Sequence, residues 1–235
     1  MTEFDTVPPH PEKTHWNSPQ FRKRVISAVV LAPPVLLAAA FGGLPFYTLI
    51  ILVAIFMMRE WDVLTAHRDS PAWGVAGVLY VTLTCLSLIR LREEALGGSL
   101  SLVLLLIAVI WATDIGAYFS GKQIGGLKLA PRISPNKTWA GLLGGILCAM
   151  ITATILSFFF PFPTHIGQAV WIAALLAVVA QLGDLFESWM KREAGMKDSS
   201  HLIPGHGGIL DRVDGMTFTA PLLVILHIVL FTPGT

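Results

Sequence analysis

The sequence predicts an all-α, polytopic transmembrane helical bundle of about seven spans, with its N-terminus in the cytoplasm. Three observations lead there. Apolar residues make up 54% of the 235-residue chain and charged residues only 13%, about half the charged share of a soluble domain. Mean hydropathy is +0.69. The apolar residues also gather into runs near the ~20 residues that a helix needs to cross a hydrocarbon core, without the alternation of a β-barrel. Disorder, a coiled coil and an ordinary water-soluble globule are excluded. A net charge of +1 leaves no broad basic field for nucleic acid. Cys85 and Cys148 each sit in an apolar run without metal-ligand spacing and read as small apolar side chains.

The elements follow in order. Residues 1–20 are polar and proline-rich and read as a disordered or interfacial tail. Ser18 before Pro19 forms an N-cap with proline in the first turn. Residues 21–235 form a single transmembrane catalytic domain, with N-terminal spans over 25–90 and the catalytic part over 98–235. The spans fall near 25–41, 44–60, 72–90, 98–119, 139–160, 166–187 and 215–232, with Gly42, Gly43 and Pro45 breaking the first pair. With the N-terminus inside, 14 of the 16 basic residues lie on the cytoplasmic side, leaving out Arg90 and Arg92. That bias fixes the orientation. It places the polar loops 120–138 and 188–214 in the cytoplasm, where nucleotides are.

The second of these loops carries most of the chemistry. Lys191, Arg192 and Lys197 precede Pro204-Gly205-His206-Gly207-Gly208, and Asp211, Arg212 and Asp214 follow. Glycines around a histidine let backbone N–H groups approach a ligand, and a helix start favours an anion such as phosphate. Asp184 and Glu187 end the sixth span, and Asp211 and Asp214 open the seventh, each pair at i,i+3 on one helical face. Carboxylates at a membrane boundary need a positive partner, and Mg²⁺ suits such a cluster together with phosphate oxygens. Interfacial salt bridges are the plain alternative. Glu187 is the weakest member, because Lys191 stands one turn away.

The first loop supplies Asp114 inside a span beside small residues, then Ser134-Pro135-Asn136-Lys137-Thr138. Ser134 with Pro135 ahead of a helix offers a hydroxyl cap, Lys137 a charge and Thr138 a second hydroxyl. The alternative is a plain helix start with a snorkelling lysine. Outside the two loops, Gly144-Gly145 reads as close packing and His227 as a core or lipid-facing residue. Glu60 and Asp62, next to Arg59, read as a solvated interfacial cluster.

The run S-x-x-K-R-x-x-x-x-K-D-x-x-x-x-x-P-G-H-G-G-x-x-D-R-x-D, from Ser188 to Asp214, resembles the signature of the phosphatidate cytidylyltransferases, the CDP-diacylglycerol synthases. The blocks D-x-G-A-Y-F (Asp114 to Phe119) and S-P-x-K-T (Ser134 to Thr138) resemble two further blocks of that family. The resemblance covers roughly residues 100–235. It departs at Ala140, where the family often has Glu or Gln, and the N-terminal part looks shorter than in many relatives.

The resemblance implies transfer of CMP from CTP to phosphatidate, giving CDP-diacylglycerol and pyrophosphate. It implies Mg²⁺ as cofactor, with a second metal or a monovalent cation as a further option. Asp184, Asp211 and Asp214 would hold the metal. Lys191 and Lys197 would act with them by contacting phosphates, and so would His206, as a phosphate or metal-shell contact ahead of a role as base. Asp114, Ser134, Lys137, Thr138, Ser188, Arg192, Asp198, Gly207, Gly208 and Arg212 would bind substrate and its phosphates. It also implies a homodimer in the cell inner membrane, with acyl chains entering from the bilayer lipids. Two rival readings are weaker. A CDP-alcohol phosphotransferase needs Ala-Arg where Phe218 and Thr219 stand. A transporter using Asp114 and Asp184 as an acidic relay would show an inverted repeat or paired broken helices, and neither is seen.

Overall fold

Helices α1 (Pro19–Phe41), α2 (Gly43–Thr65), α3 (Ala72–Arg92) and α4 (Leu100–Gln123) are followed by a short antiparallel hairpin. Its strands are β1 (Lys128–Ala130) and β2 (Ser134–Thr138), and α5 (Trp139–Phe159), α6 (Ile166–Glu193) and α7 (Leu210–Phe231) complete the chain. The computed structural model describes residues 19–93, 98–160, 165–200, 202–203 and 207–231. The expected cap Ser18 and the tail before it lie outside them.

Helices α2 to α7 are each long and apolar enough to cross a membrane, and in α1 the comparably apolar stretch is Val29–Phe41. The chain is therefore a multi-pass membrane protein. Its all-α class holds, with the hairpin as the one sheet among the described residues. Large apolar side chains such as Leu44, Leu79, Leu143, Phe158 and Val229 point outward, which suits lipid as the solvent. Gly42 and Gly43 adopt φ of +65° and +51°, a region that costs glycine little, and they turn α1 into α2. The guanidinium of Arg92 then fastens this corner, donating to the carbonyls of Ala39 (2.6 Å) and Ala40 (2.9 Å).

Most of the helices run past their expected ends, and three do so at the two polar loops. Helix α4 continues beyond 119 to Gln123, α6 continues beyond 187 to Glu193, and α7 opens at Leu210 ahead of 215. Polar residues that read as loop are thus helical extensions beyond the apolar stretch. Asp184, Glu187, Ser188 and Lys191 share one helix, and Asp211 and Asp214 sit in the first turns of another.

Helix α4 is the centre of the bundle, packing on α5 and also touching α1, α3, α6 and α7. Small residues set the α4–α5 seam. A Cβ on Gly116 would lie 2.7 Å from the Gly144 carbonyl oxygen, and one on Gly145 would lie 2.8 Å from that of Thr113. Backbones approach this closely in lipid because packing, not water exclusion, drives helices together. Helix α6 lies between α5 and α7, α7 continues onto α3, and α3 onto α2. An aromatic cluster of Trp61, Trp73, Tyr80, Phe186, Trp189 and Phe218 ties α2, α3, α6 and α7 together, with ring centroids 5.0–6.4 Å apart. The end of α2, the end of α4, the hairpin, the start of α5, the end of α6 and the start of α7 therefore meet at one end of the bundle.

Gln123 and Gly167 lie at opposite ends of α4 and α6, and the basic-residue bias predicts Gln123 on the cytoplasmic side. Single cysteines at these positions, with Cys85 and Cys148 replaced by Ala, are expected to react from opposite sides. An impermeant maleimide added outside the cell should label Gly167→Cys and leave Gln123→Cys unlabelled until the membrane is opened. Labelling of Gln123→Cys from outside would reverse the topology.

Candidate active site

The site begins with the hairpin. The sequence placed the helix cap at Ser134, but Ser134 opens strand β2, and Thr138 is the N-cap of α5. The Thr138 hydroxyl accepts from Gly141 N at 3.0 Å, and Trp139 N donates to the Leu127 carbonyl at 3.0 Å, closing the hairpin. A helix needs a side-chain acceptor for its orphan N–H groups, and the buried Thr138 fills that role here. The hairpin swings Lys137 toward α6, where its ammonium meets Asp184 Oδ2 at 2.5 Å as an ion pair. Ser188, one turn on, donates to Asp184 Oδ1 at 3.2 Å.

A cavity of about 200 Å³ opens beside this pair, lined among others by Asp114, Tyr118, Asn136, Lys137, Gln181 and Asp184. The two blocks singled out in the first loop therefore converge with the sixth helix. Gln181 is a buried polar residue of α6 that the sequence reading passed over. Its signal was a polar side chain one turn before Asp184 in an otherwise apolar run.

Helix α7 closes on α6 at Gly183, where a Cβ would collide with the Asp214 backbone carbonyl. Asp214 Oδ1 accepts from Gly215 N at 2.7 Å. Asp114, Asp184 and Asp214, from three helices, are close enough to repel one another. Asp211 faces elsewhere. Its Oδ1 meets Lys191 Nζ at 2.5 Å, and its Oδ2 accepts from Ser199 N, Ser199 Oγ and Gly208 N, all at 2.8 Å. Lys191 also stands 3.4 Å from Glu187 Oε1, the pairing that their spacing predicts. Glu187 is only 1% exposed, and neither carboxylate oxygen has a hydrogen-bond partner among the described residues.

Two expectations change in this light. The Gly208 amide was expected to face a phosphate, and it donates to Asp211 instead. Lys191 was expected among the phosphate contacts, and it lies between two carboxylates. Arg192 joins the two loops, donating to the carbonyls of Ile133 (3.3 Å) and Met196 (3.2 Å). Lys197 and Arg212 are exposed, Asp198 is half-buried, and Gly207 adopts φ +82° beside Asp211. His206, with Pro204 and Gly205, lies outside the described residues.

The largest departure is Glu60. It is not part of a solvated cluster: it is 4% exposed. It accepts from Ser200 Oγ (2.7 Å) and Ile209 N (2.9 Å) on Oε1, and from Ser199 Oγ (2.9 Å) and Leu210 N (2.7 Å) on Oε2. A residue of α2 therefore caps the start of α7.

The donor set fits a hard cation in kind. Asp184 and Asp214 offer carboxylate oxygens beside Asp114, and Oδ1 of Asp211 carries one contact, which leaves a lone pair for an ion that prefers anionic oxygen. Among the described residues no three such groups converge on one point. Lys137 draws Asp184 to one side, and Lys191 draws Asp211 to another.

A family model described as "Cytidylyltransferase family" matches residues 72–230. The chain belongs to the cytidylyltransferase family. Its relatives include a phosphatidate cytidylyltransferase of Brucella suis, 43% identical over 180 residues that cover 77% of this chain and 64% of that protein. Another, of Rickettsia bellii, is 40% identical over 210 residues, covering 87% of this chain and 89% of the relative. A third, of Staphylococcus haemolyticus, is 40% identical over 176 residues, covering 74% and 66%. The chain thus spans 64% of the length of the Brucella suis relative. The family match takes in every residue of the two loops and begins after Glu60.

Removing the Thr138 hydroxyl tests the hairpin–helix junction. Thr138→Ala should lower stability in detergent by about 1 kcal/mol, the usual worth of an N-cap, while Thr138→Ser stays near wild type. Equal melting temperatures for the three proteins would show that the cap is not used.

Proposed function

We propose that this cytidylyltransferase-family protein transfers the cytidylyl group of CTP to phosphatidate, forming CDP-diacylglycerol and pyrophosphate. The observation that carries the reading is the convergence of Asp114, Lys137 and Asp184 on one cavity, with Asp214 beside them, where the polar ends of membrane-spanning helices meet. A lipid phosphate can reach such a place while its acyl chains remain in the bilayer. The relatives' name supplies phosphatidate, and the family description supplies the cytidylyl group. The same reading places the loops on the cytoplasmic side of a cell inner membrane and takes the working unit as a homodimer.

In the proposed reaction an oxygen of the phosphatidate monoester attacks the α-phosphorus of CTP. A new P–O bond forms, and the bond to the β-phosphate oxygen breaks. The attacking phosphate, with a second pKa near ~6, is mostly ionised at neutral pH and needs no protein base. Both substrates are anionic, so positioning and charge neutralisation carry the catalysis. Lys137 sits at the cavity, and Lys197, Arg192 and Arg212 supply cationic groups along the same end of the bundle. Ser188 and Ser134 add hydroxyl donors. Lys191 neutralises Asp211 and Glu187 and so holds the start of α7 in place. His206 serves as a phosphate contact.

Asp184, Asp211 and Asp214 would hold Mg²⁺, which when bound neutralises phosphate oxygens during transfer. Asp184→Asn and Asp214→Asn keep side-chain shape and delete an anionic oxygen. Each should reduce pyrophosphate release from CTP, phosphatidate and Mg²⁺ by more than tenfold, a barrier rise above about 1.4 kcal/mol, while the protein still inserts. A wild-type protein that releases no pyrophosphate under these conditions would contradict the assignment and favour a carrier.

A further inference from the structure

Glu60 is an ionisable residue of α2 buried at a membrane boundary, far in sequence from its hydrogen-bond partners, and the proposed chemistry does not use it. Such a residue is costly to keep unless every lone pair is satisfied. Here Oε1 accepts from the Ser200 hydroxyl and the Ile209 amide, and Oε2 accepts from the Leu210 amide and shares the single Ser199 hydroxyl proton with Asp211 Oδ2. Two of these donors, the Ile209 and Leu210 amides, belong to the opening turn of α7, where orphan N–H groups and the helix dipole favour negative charge. A carboxylate from α2 thus occupies the anion-favouring head of α7.

The contacts of Glu60 lead on to the reacting residues. The Ser199 hydroxyl lies between Glu60 Oε2 (2.9 Å) and Asp211 Oδ2 (2.8 Å), and Ser199 N also donates to Asp211. Gly208 packs so closely on Glu60 and Ser199 that a Cβ there would collide with both. Ser199 and Gly208 are the two residues that fix Asp211 Oδ2. We propose that Glu60 is a positioning residue for nucleotidyl transfer, setting Asp211 and the flanking residues 198–200 and 207–209 through Ser199 and the first turn of α7. This rests on the cytidylyltransferase reading of the site. It also gives Gly207 and Gly208 of the P-G-H-G-G run a reason beyond ligand approach: they make room for Asp211 and Glu60.

Glutamine at this position has one acceptor oxygen and would turn an N–H₂ toward two of the four donors. Aspartate keeps the charge but is one methylene short. Glu60→Gln is therefore expected to lower kcat per folded molecule at least tenfold, with KM for phosphatidate within twofold of wild type. Glu60→Asp should recover part of that loss. Ser199→Ala should lower kcat several-fold, and the double variant Glu60→Gln/Ser199→Ala should be no slower than Glu60→Gln alone, because both act through one contact.

The exposed neighbour Asp62→Asn serves as the control and should match wild type. A Glu60→Gln protein with wild-type kcat, or losses that simply multiply in the double variant, would overturn the proposal. A second readout needs no activity. Tryptic cleavage after Lys197 should speed up at least tenfold in Glu60→Gln and not in Asp62→Asn, and an unchanged cleavage rate would overturn the proposal. If the wild-type protein released no pyrophosphate, the assignment of function would fail, and the cleavage rate would still decide whether Glu60 sets the loop.

Discussion

Carboxylates gathered at one end of a membrane bundle must be neutralised where water is scarce, and the rest of this structure depends on how that is done. An uncompensated buried charge costs several kcal/mol even after relaxation, by general estimates of about 3–5 when one partner is removed. Lys137 answers Asp184, Lys191 answers both Asp211 and Glu187, and Glu60 is answered by hydroxyls and amides. Apart from the Lys191–Glu187 pair inside α6, each of these contacts joins two elements distant in sequence. Charge balance and tertiary structure are therefore the same set of contacts.

The architecture serves that balance. The glycine seam between α4 and α5 brings Asp114 beside the hairpin that carries Lys137. The close approach of α6 and α7 at Gly183 sets Asp214 against the same region. Arg192 holds the hairpin to the end of α6, and the aromatic cluster locks α2 and α3 behind α6 and α7. The result is a cavity between α4, α5, α6 and the hairpin, lined by the charged groups of Asp114, Lys137 and Asp184. In the proposed reaction such a place would need few moving parts, because phosphatidate would bring the nucleophilic oxygen and CTP the leaving group.

Much of this was legible in the sequence. Spans followed from hydropathy, the α1–α2 break from Gly42-Gly43, and the Glu187–Lys191 pair from i,i+4 spacing. The two polar loops stood out because charge is rare in this chain. The hairpin was not legible: its strands are three and five residues long, too short for an alternating pattern to register, and the proline after Ser134 resembled a helix start. Glu60 was misread for a different reason. Its partners lie 139–150 residues away, so no local pattern contains them, and Arg59 and Asp62 next to it suggest a solvated cluster. One signal was present. Met57, Trp61 and Leu64 are buried on α2, and Glu60 falls at the helical spacing that puts it on their face.

The balance of buried charge is tested most directly by the stability of Lys191→Met, Glu187→Gln and the double variant, measured as unfolding in detergent. Lys191→Met alone leaves Glu187 and Asp211 without their cation and should cost about 3 kcal/mol or more. Adding Glu187→Gln removes one of the stranded charges, and the double variant should recover most of that loss, since residues in one network do not add. A double variant as unstable as the sum of the two single changes would contradict the account, because Lys191 would then be contributing packing and not charge.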